Sequence, residues 1–271
     1  MSRAQKKALL KKLQDPDTLS SLRRPEILLD FFTDNLNLSP PDLSLAIPSL
    51  QGLYQLIASR NLDYPQFYPR LYSLLDNNIL HSKYRSKFLR LLDDFLAPTN
   101  HVPAATIASF IKRLSRLCLF APPAATIAVV PFIYNLLKAH PTCTFLLHRP
   151  PYPPYTRSKE NLGIDPYDHE EIDPQKTGAT DSSLWELHTL QDHYNPTVGQ
   201  ICRIISEQFT KQQYNLEDFL DHGYTTMLES ELKKDSKREP VIEWRIPKKI
   251  FEFEDQKDKS GPDALLDNWE F

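Results

Sequence analysis

The chain has 271 residues, 41% of them hydrophobic, with 6 glycines, 23 prolines and a net charge of −3. Glycine falls far below its usual share of about 7%, and neither G-x-G-x-x-G nor G-x-x-x-x-G-K-[ST] occurs, so the composition argues against a nucleotide-binding enzyme. The three cysteines are too few and too far apart for a disulfide framework or a closed zinc site, and no apolar stretch approaches the ~20 residues of a membrane span.

Charge is distributed unevenly along the chain. Residues 1–140 contain 17 lysines and arginines against 10 acids, whereas residues 141–271 contain 15 against 25. A positive half favours contact with nucleic acid, and an acidic half favours basic partners. Ordinary solvated helix faces would give the same counts, so a binding role and a purely solvated surface both stay open.

The first half of the chain is predicted to consist of amphipathic helices separated by short turns that contain proline. Apolar residues recur at helical spacing over residues 3–14, 25–36, 42–59, 66–76, 82–97, 104–120 and 123–139. The helix centres are about 20 residues apart, which is typical of HEAT-type solenoids built from stacked helix pairs. We therefore expect an all-α, HEAT-like solenoid whose N-terminal part spans residues 1–147.

Two of these helices have a basic stripe beside their apolar stripe. On residues 82–97 it consists of Lys83, Lys87 and Arg90, which are candidate contacts for RNA phosphates. The spacing on residues 104–120 predicts a second outward-facing stripe, made of Lys112, Arg113 and Arg116. Surface solubility is the competing explanation for both stripes.

The segment 123–139 is apolar on nearly every side, so it is predicted to be a central, covered helix. Pro131 lies inside it. A proline at this position removes one backbone donor and clashes with the carbonyl of Ile127, at a cost of ~3 kcal/mol in an undistorted helix. We therefore expect a kink or a break there.

Residues 148–180 are rich in proline and in acids, and they show almost no apolar periodicity. A connection of this length is either functional or a linker. We expect a mobile proline-rich insertion with an ordered acidic end. Residues 181–235 are predicted to complete the same domain with further helices, and residues 236–271 to form an extended tail.

Local signals define the helices after the insertion. Ser183 and Glu186 fit a capping box, before a helix in which Trp185 supplies buried apolar bulk. Asn195 is predicted to cap the next helix. A further helix is predicted over residues 216–233.

Signatures of catalysis are missing from the sequence. There is no G-x-S-x-G and no H-E-x-x-H. The acidic run DPYDHEEIDP lacks the D-x-[DN]-x-[DN]-G spacing of a calcium loop, so a solvated acidic loop is favoured. We expect no catalytic residue, no cofactor-binding residue and no metal-binding residue.

Three stretches carry a resemblance to a known family. They begin LDYPQFYPRLYSLLDNN, FIKRLSRLCLFAPP and DPYDHEEIDPQKTGATDSSLWELHTLQDHYNP, and they lie within roughly residues 40–230. Their order and spacing resemble the nucleolar-complex proteins of the CCAAT-binding-factor domain family. Members of that family have a longer N-terminal helical half, which this sequence does not contain.

The resemblance implies a non-enzymatic helical scaffold of the small-subunit processome, located in the nucleus and nucleolus. Such a factor acts in maturation of the small-subunit ribosomal RNA, and contact with that precursor RNA, direct or indirect, is expected. The implied main partner is nucleolar protein 14, bound through residues 110–149. The contact candidates carried over are Lys112, Arg113, Arg116, Pro122, Pro123, Tyr134 and Asn135. Trp185 is a further candidate, since burial at its helix is expected to support the fold or the partner groove.

Two other functions compete with the scaffold. A helical-solenoid transport adaptor would dock a cargo peptide in a concave groove without RNA. A DNA-binding transcription factor fits the older family name. However, no helix-turn-helix, zinc finger or basic zipper is recognisable, so this function is disfavoured.

Overall fold

A computed structural model describes residues 3–13, 27–38, 42–60, 64, 66–97, 102–148 and 165–233, and these form helices, turns and loops without any strand. The chain divides into two units, Met1–Leu228 and Glu229–Phe271. The first unit contains the core and the sites described below. Of the second unit, the described residues are 229–233. The predicted extended tail, 236–271, lies outside the described residues.

Helices fill the described part of the first half. Their bounds are α1 Arg3–Lys12, α2 Ile27–Leu36, α3 Leu43–Arg60, α4 Phe67–Ser73, α5 Asn77–His81, α6 Arg85–Leu96, α7 Ala104–Cys118 and α8 Pro123–Ala139. Neighbouring helices pack in pairs, α2 on α3 and α7 on α8. The prediction of an all-α solenoid is confirmed. The predicted helix 66–76 is shorter than expected, because Asp76 caps the separate short helix α5 by accepting a hydrogen bond from the Asn77 N–H.

Helix α8 is the centre of the core. Pro122 and Pro123 begin it, which suits a position where the helix needs no backbone donor. Every residue from Ala124 to Leu137 is buried, so the prediction of a covered helix is confirmed. The helix continues through Pro131 without the expected break.

The chain after the insertion is also largely helical. A short 3₁₀ helix at Pro141–Leu146 precedes the insertion, and a second at Ala179–Asp181 lies at its end. Then follow helix α9 Trp185–Thr189, a 3₁₀ turn at Leu190–Asp192, and helices α10 Pro196–Arg203, α11 Glu217–Leu220 and α12 Tyr224–Leu232. Asn195 caps α10, since its side chain accepts a hydrogen bond from the Thr197 N–H at 3.0 Å, as predicted.

Two predictions about these helices are wrong. The capping box at Ser183 does not form, because α9 begins later and Leu184 is its N-cap residue without a side-chain hydrogen bond. The predicted helix 216–233 is interrupted between Leu220 and Tyr224. Tyr224 is 67% exposed, so the apolar spacing that suggested one long buried stripe does not correspond to a buried face.

Residues 165–178 follow the undescribed part of the insertion and pack against the solenoid. The Tyr167 hydroxyl lies 2.7 Å from the Tyr72 hydroxyl on α4, and both rings are buried. The Ser109 hydroxyl on α7 lies 2.6 Å from the hydroxyl of Thr177. The acidic end of the insertion therefore forms part of the folded surface, and the rest of it, 149–164, lies outside the described residues.

Candidate protein-interaction surface

A buried lysine joins the acidic segment to helix α7. Lys112 is fully buried, and its Nζ lies 2.6 Å from Glu186 Oε1 and 2.9 Å from Asp165 Oδ2. It also donates a hydrogen bond of 2.7 Å to the Ser183 carbonyl. The prediction that Lys112 faces outward is wrong, because residues 165–186 cover the face of α7 on which it lies.

Asp165 is the acceptor at which several of these contacts meet. Its carboxylate lies 3.3 Å from Arg116 Nη1 and accepts a 2.9 Å hydrogen bond from the Trp185 indole N–H. It also accepts from the Ser182 hydroxyl. Although partial burial opposes ionisation, these donors and Lys112 lower the pKa of Asp165 to about 2. The predicted solvated acidic loop is therefore wrong at this residue, which is ionised and held.

Glu186 completes a balanced cluster of two cations and two anions. Its side chain is fully buried, and its second oxygen lies 3.3 Å from the Ser115 hydroxyl. Burial raises the pKa of Glu186, and the ion pair with Lys112 opposes that rise. A carboxylate without exposure needs such a partner, since an isolated buried charge is costly. We call Lys112, Arg116, Asp165 and Glu186 the charge cluster.

The surface above the charge cluster carries an exposed tryptophan. Trp185 is 41% exposed, so the prediction that it supplies buried bulk is wrong. Its ring packs beside two cations, with Arg116 at 5.8 Å and Lys112 at 5.4 Å from the ring centre. Trp185 and Leu187 also line a cavity of about 490 Å³. A large aromatic side chain at the edge of a cavity is a common anchor for a partner protein.

Two predicted contact residues on α8 hold another segment of the chain itself. The Tyr134 hydroxyl donates a 2.9 Å hydrogen bond to the Lys211 carbonyl. The Asn135 side chain pairs with Tyr214 in both directions, donating to its carbonyl and accepting from its N–H, each at 2.8 Å. Tyr134 is 2% exposed and Asn135 is 8% exposed. Both residues support the fold, and their contact with a partner stays a prediction.

The remaining candidates for partner contact lie around the same two helices. Pro122 is buried and Pro123 partly buried at the start of α8. The guanidinium of Arg113 stacks on the Tyr72 ring at 4.4 Å and donates a 2.7 Å hydrogen bond to the Leu75 carbonyl. Of the eight predicted partner contacts, the structure brings together Lys112, Arg116 and Trp185.

The predicted RNA stripe does not form one uniform surface. Arg90 makes a two-pronged contact with Glu217, through Nε at 2.7 Å and through Nη2 at 2.5 Å. Lys83 and Lys87 make no ion pair within the residues that the structure describes. Of the three basic residues, Lys83 and Lys87 are therefore the two without a carboxylate partner in the described ranges. RNA contact by the stripe stays a prediction.

Sequence patterns missed Asp165 and Glu186. The acidic run suggested a solvated loop, and Glu186 was assigned to a cap. The one available signal was the position of Lys112 next to the apolar stripe of α7, a helix whose residues are mostly buried. Periodicity does not identify which distant acids neutralise such a lysine.

Comparison with known proteins assigns the family. Residues 46–202 match the model of the CBF/Mak21 family, which is more than half of the chain. The chain belongs to the CBF/Mak21 family. The resemblance noted from the sequence is thereby confirmed, and both the charge cluster and helix α8 lie inside the matched range.

Relatives within the CBF/Mak21 family include nucleolar proteins. The chain is 42% identical over 245 residues to nucleolar complex protein 4 of Saccharomyces cerevisiae, which covers 85% of this chain and 44% of that protein. It is 42% identical over 216 residues to the Homo sapiens nucleolar complex protein 4 homolog, which covers 80% of this chain and 40% of the relative. The chain thus spans about two fifths of the length of these relatives.

CBF/Mak21 is not a known enzyme family. Within the described ranges, no three histidine, cysteine or acidic side chains are grouped so that they could hold a metal ion. None of the described helices has the length and apolar character needed to cross a membrane. The cysteines Cys118, Cys143 and Cys202 are buried and free, as expected of small core residues.

Proposed function

We propose that this chain is a non-enzymatic scaffold of the small-subunit processome, acting in the nucleolus as a heterodimer with nucleolar protein 14. In this role it supports processing of the precursor ribosomal RNA and assembly of the small ribosomal subunit. The observation that carries the proposal is the CBF/Mak21 match over residues 46–202, together with relatives named nucleolar complex protein 4. The all-helical solenoid supports it, because stacked helices offer large, rigid binding surfaces.

The charge cluster gives this scaffold its rigidity. Lys112 ties the segment around Asp165 and Glu186 to helix α7, so the exposed face of Trp185 is fixed before any partner arrives. A preformed surface loses less conformational entropy on binding than a mobile one. In our proposal the partner protein covers Trp185 and the exposed part of Arg116.

Purification of a tagged copy from cells tests the proposal. Nucleolar protein 14, other processome proteins and precursor ribosomal RNA should be recovered together with the tagged chain. Recovery of transport receptors without RNA, or of chromatin fragments without processome proteins, would contradict the scaffold role.

A matched pair of variants tests the partner surface. Trp185→Ala removes the proposed anchor, and we expect at least about a tenfold drop in recovered nucleolar protein 14, typical of a truncated aromatic hot spot. Tyr194→Ala is the control, because Tyr194 is an 81% exposed aromatic residue that does not line the Trp185 cavity. Equal recovery with both variants would place the partner elsewhere on the molecule.

A further inference from the structure

A groove lies between α1, the start of α3 and the turn before α6. It consists of two cavities of about 1050 Å³ and 510 Å³. Ala4, Lys7, Ser44 and Tyr84 line both of them, so the two cavities are continuous.

The groove combines an apolar floor with a basic rim. The floor of the smaller cavity is formed by Ala4, Ala8, Ile47, Pro48 and Tyr84. Lysines stand on both sides of the floor: Lys7 and Lys11 on α1, and Lys83 and Lys87 across from them. We call this feature the lysine groove.

The rim charges of the lysine groove are not neutralised within the part of the chain that the structure describes. Among the described residues that line the two cavities, Asp42 is the only acid, and it forms a 2.6 Å ion pair with Arg3. Lys87 is partly buried without a carboxylate partner among the described residues, and burial lowers its pKa. An acidic group entering the groove would therefore gain ion pairs without displacing an existing one.

We propose that the lysine groove binds an acidic amphipathic helix of a partner protein, whose apolar side chains contact the floor while its acids pair with the lysines. The ten residues of α1 extend about 15 Å, enough to flank two to three turns of such a helix. This inference does not depend on the proposed function, because it rests on the groove alone.

The floor favours a peptide over single-stranded RNA. Phosphates would use the lysines but would leave the aliphatic floor uncovered. Bases need exposed aromatic faces for stacking. Tyr84 is the single aromatic residue among the described residues that line the groove, and Lys83 Nζ already lies 5.3 Å from its ring centre.

The test is a binding titration of the full chain with a fluorescent peptide of about twelve residues. The peptide has leucines on one helical face and glutamates on the others, a helix-in-groove pattern. Two further probes are a matched peptide with lysine in place of glutamate and a labelled single-stranded RNA of similar length. We expect the acidic peptide to bind at least about tenfold more tightly than the lysine peptide, and more weakly as salt rises.

Variants assign the binding to the groove. The pair Lys7→Gln and Lys87→Gln should weaken binding of the acidic peptide by about tenfold. The control pair Lys6→Gln and Lys138→Gln makes the same change in net charge at lysines that do not line either cavity. Ala8→Glu is a second test that leaves every lysine in place, because it puts a charge of the wrong sign on the exposed part of the floor.

Three results would overturn the inference. The first is equal binding of the acidic peptide and the lysine peptide. The second is binding of the acidic peptide to the groove variants that is as tight as its binding to the control pair. Finally, RNA could bind more tightly than the acidic peptide and lose that affinity in the groove variants, which would make the groove a phosphate-binding site instead.

Discussion

Replacing the buried lysine with a neutral side chain of similar length tests the charge cluster most severely. Lys112→Met removes the ammonium and leaves Glu186 fully buried without its 2.6 Å partner. Breaking a buried ion pair by removing one member costs about 3–5 kcal/mol, because the other charge stays uncompensated. The shift in Tm should be roughly 10 °C, since for a chain of this size 1 kcal/mol corresponds to about 2–4 °C.

A double-mutant cycle separates the ion pair from simple loss of packing. Glu186→Gln in the Lys112→Met background removes the orphaned charge, so the double variant should recover about 2 kcal/mol of the free energy of unfolding. Lys138→Met is the matched control. Lys138 lies on the neighbouring helix α8, is exposed and makes one hydrogen bond to a backbone carbonyl, so its replacement should cost less than about 1 kcal/mol.

The assay is urea unfolding followed by tryptophan fluorescence and by circular dichroism, with the free energy obtained by linear extrapolation. Coincident transitions would justify a two-state treatment. A cost below about 1 kcal/mol for Lys112→Met would contradict the stabilising role of the buried ion pair, as would a second substitution that adds its full cost instead of restoring stability.

Three further predictions concern neighbouring contacts. Asp165 has a pKa of about 2 in the folded chain, below its ordinary 3.8, so its ionised form stabilises the fold above about pH 4 and that contribution is lost as the pH falls towards 2. Asp165→Asn should therefore lower the free energy of unfolding by about 1–2 kcal/mol at pH 7, after allowance for solvent screening. In urea unfolding below pH 4, the same substitution should cost progressively less. Trp185→Ala should cost about 1–2 kcal/mol in the same assay, less than the 3–5 kcal/mol of a buried aromatic residue, because the ring is 41% exposed. Asn135→Ala should cost about 1–3 kcal/mol and increase hydrogen exchange at the Tyr214 amide, which loses its acceptor, while an unchanged exchange rate would contradict the role assigned to that side chain.

Signals that act over a few residues predicted local structure well. Asn195 caps its helix as expected, because the interaction involves an acceptor and a backbone N–H two residues away. The segment 123–139 was predicted to be covered because it lacks a polar face, and it is. The all-α class follows from the same periodicity.

Contacts between distant parts of the chain were not predictable in the same way. The stripe that contains Lys112 sits at outward spacing on its own helix, but a segment beyond the insertion covers it. The pattern over residues 216–233 predicted one helix, yet the helix is interrupted near Gly223. Apolar spacing defines a face of a helix, whereas tertiary packing decides what covers that face.

The candidate site was predicted only in part. Trp185 and Arg116 were identified from the sequence and do lie together, with the guanidinium 5.8 Å from the indole ring centre. Asp165, which positions both, was assigned to a solvated loop. Tyr134 and Asn135 bind a segment of the same chain, which the sequence did not indicate, and their contact with a partner stays a prediction.

We propose that this polypeptide acts by holding nucleolar protein 14 on a rigid helical surface. The most direct measurement is sedimentation equilibrium of the chain co-purified with nucleolar protein 14. We predict a stable complex with one copy of each protein, which Trp185→Ala dissociates and Tyr194→Ala leaves intact. If the chain and nucleolar protein 14 sediment as two separate species at micromolar concentration, with the chain folded and monomeric, the proposal is contradicted.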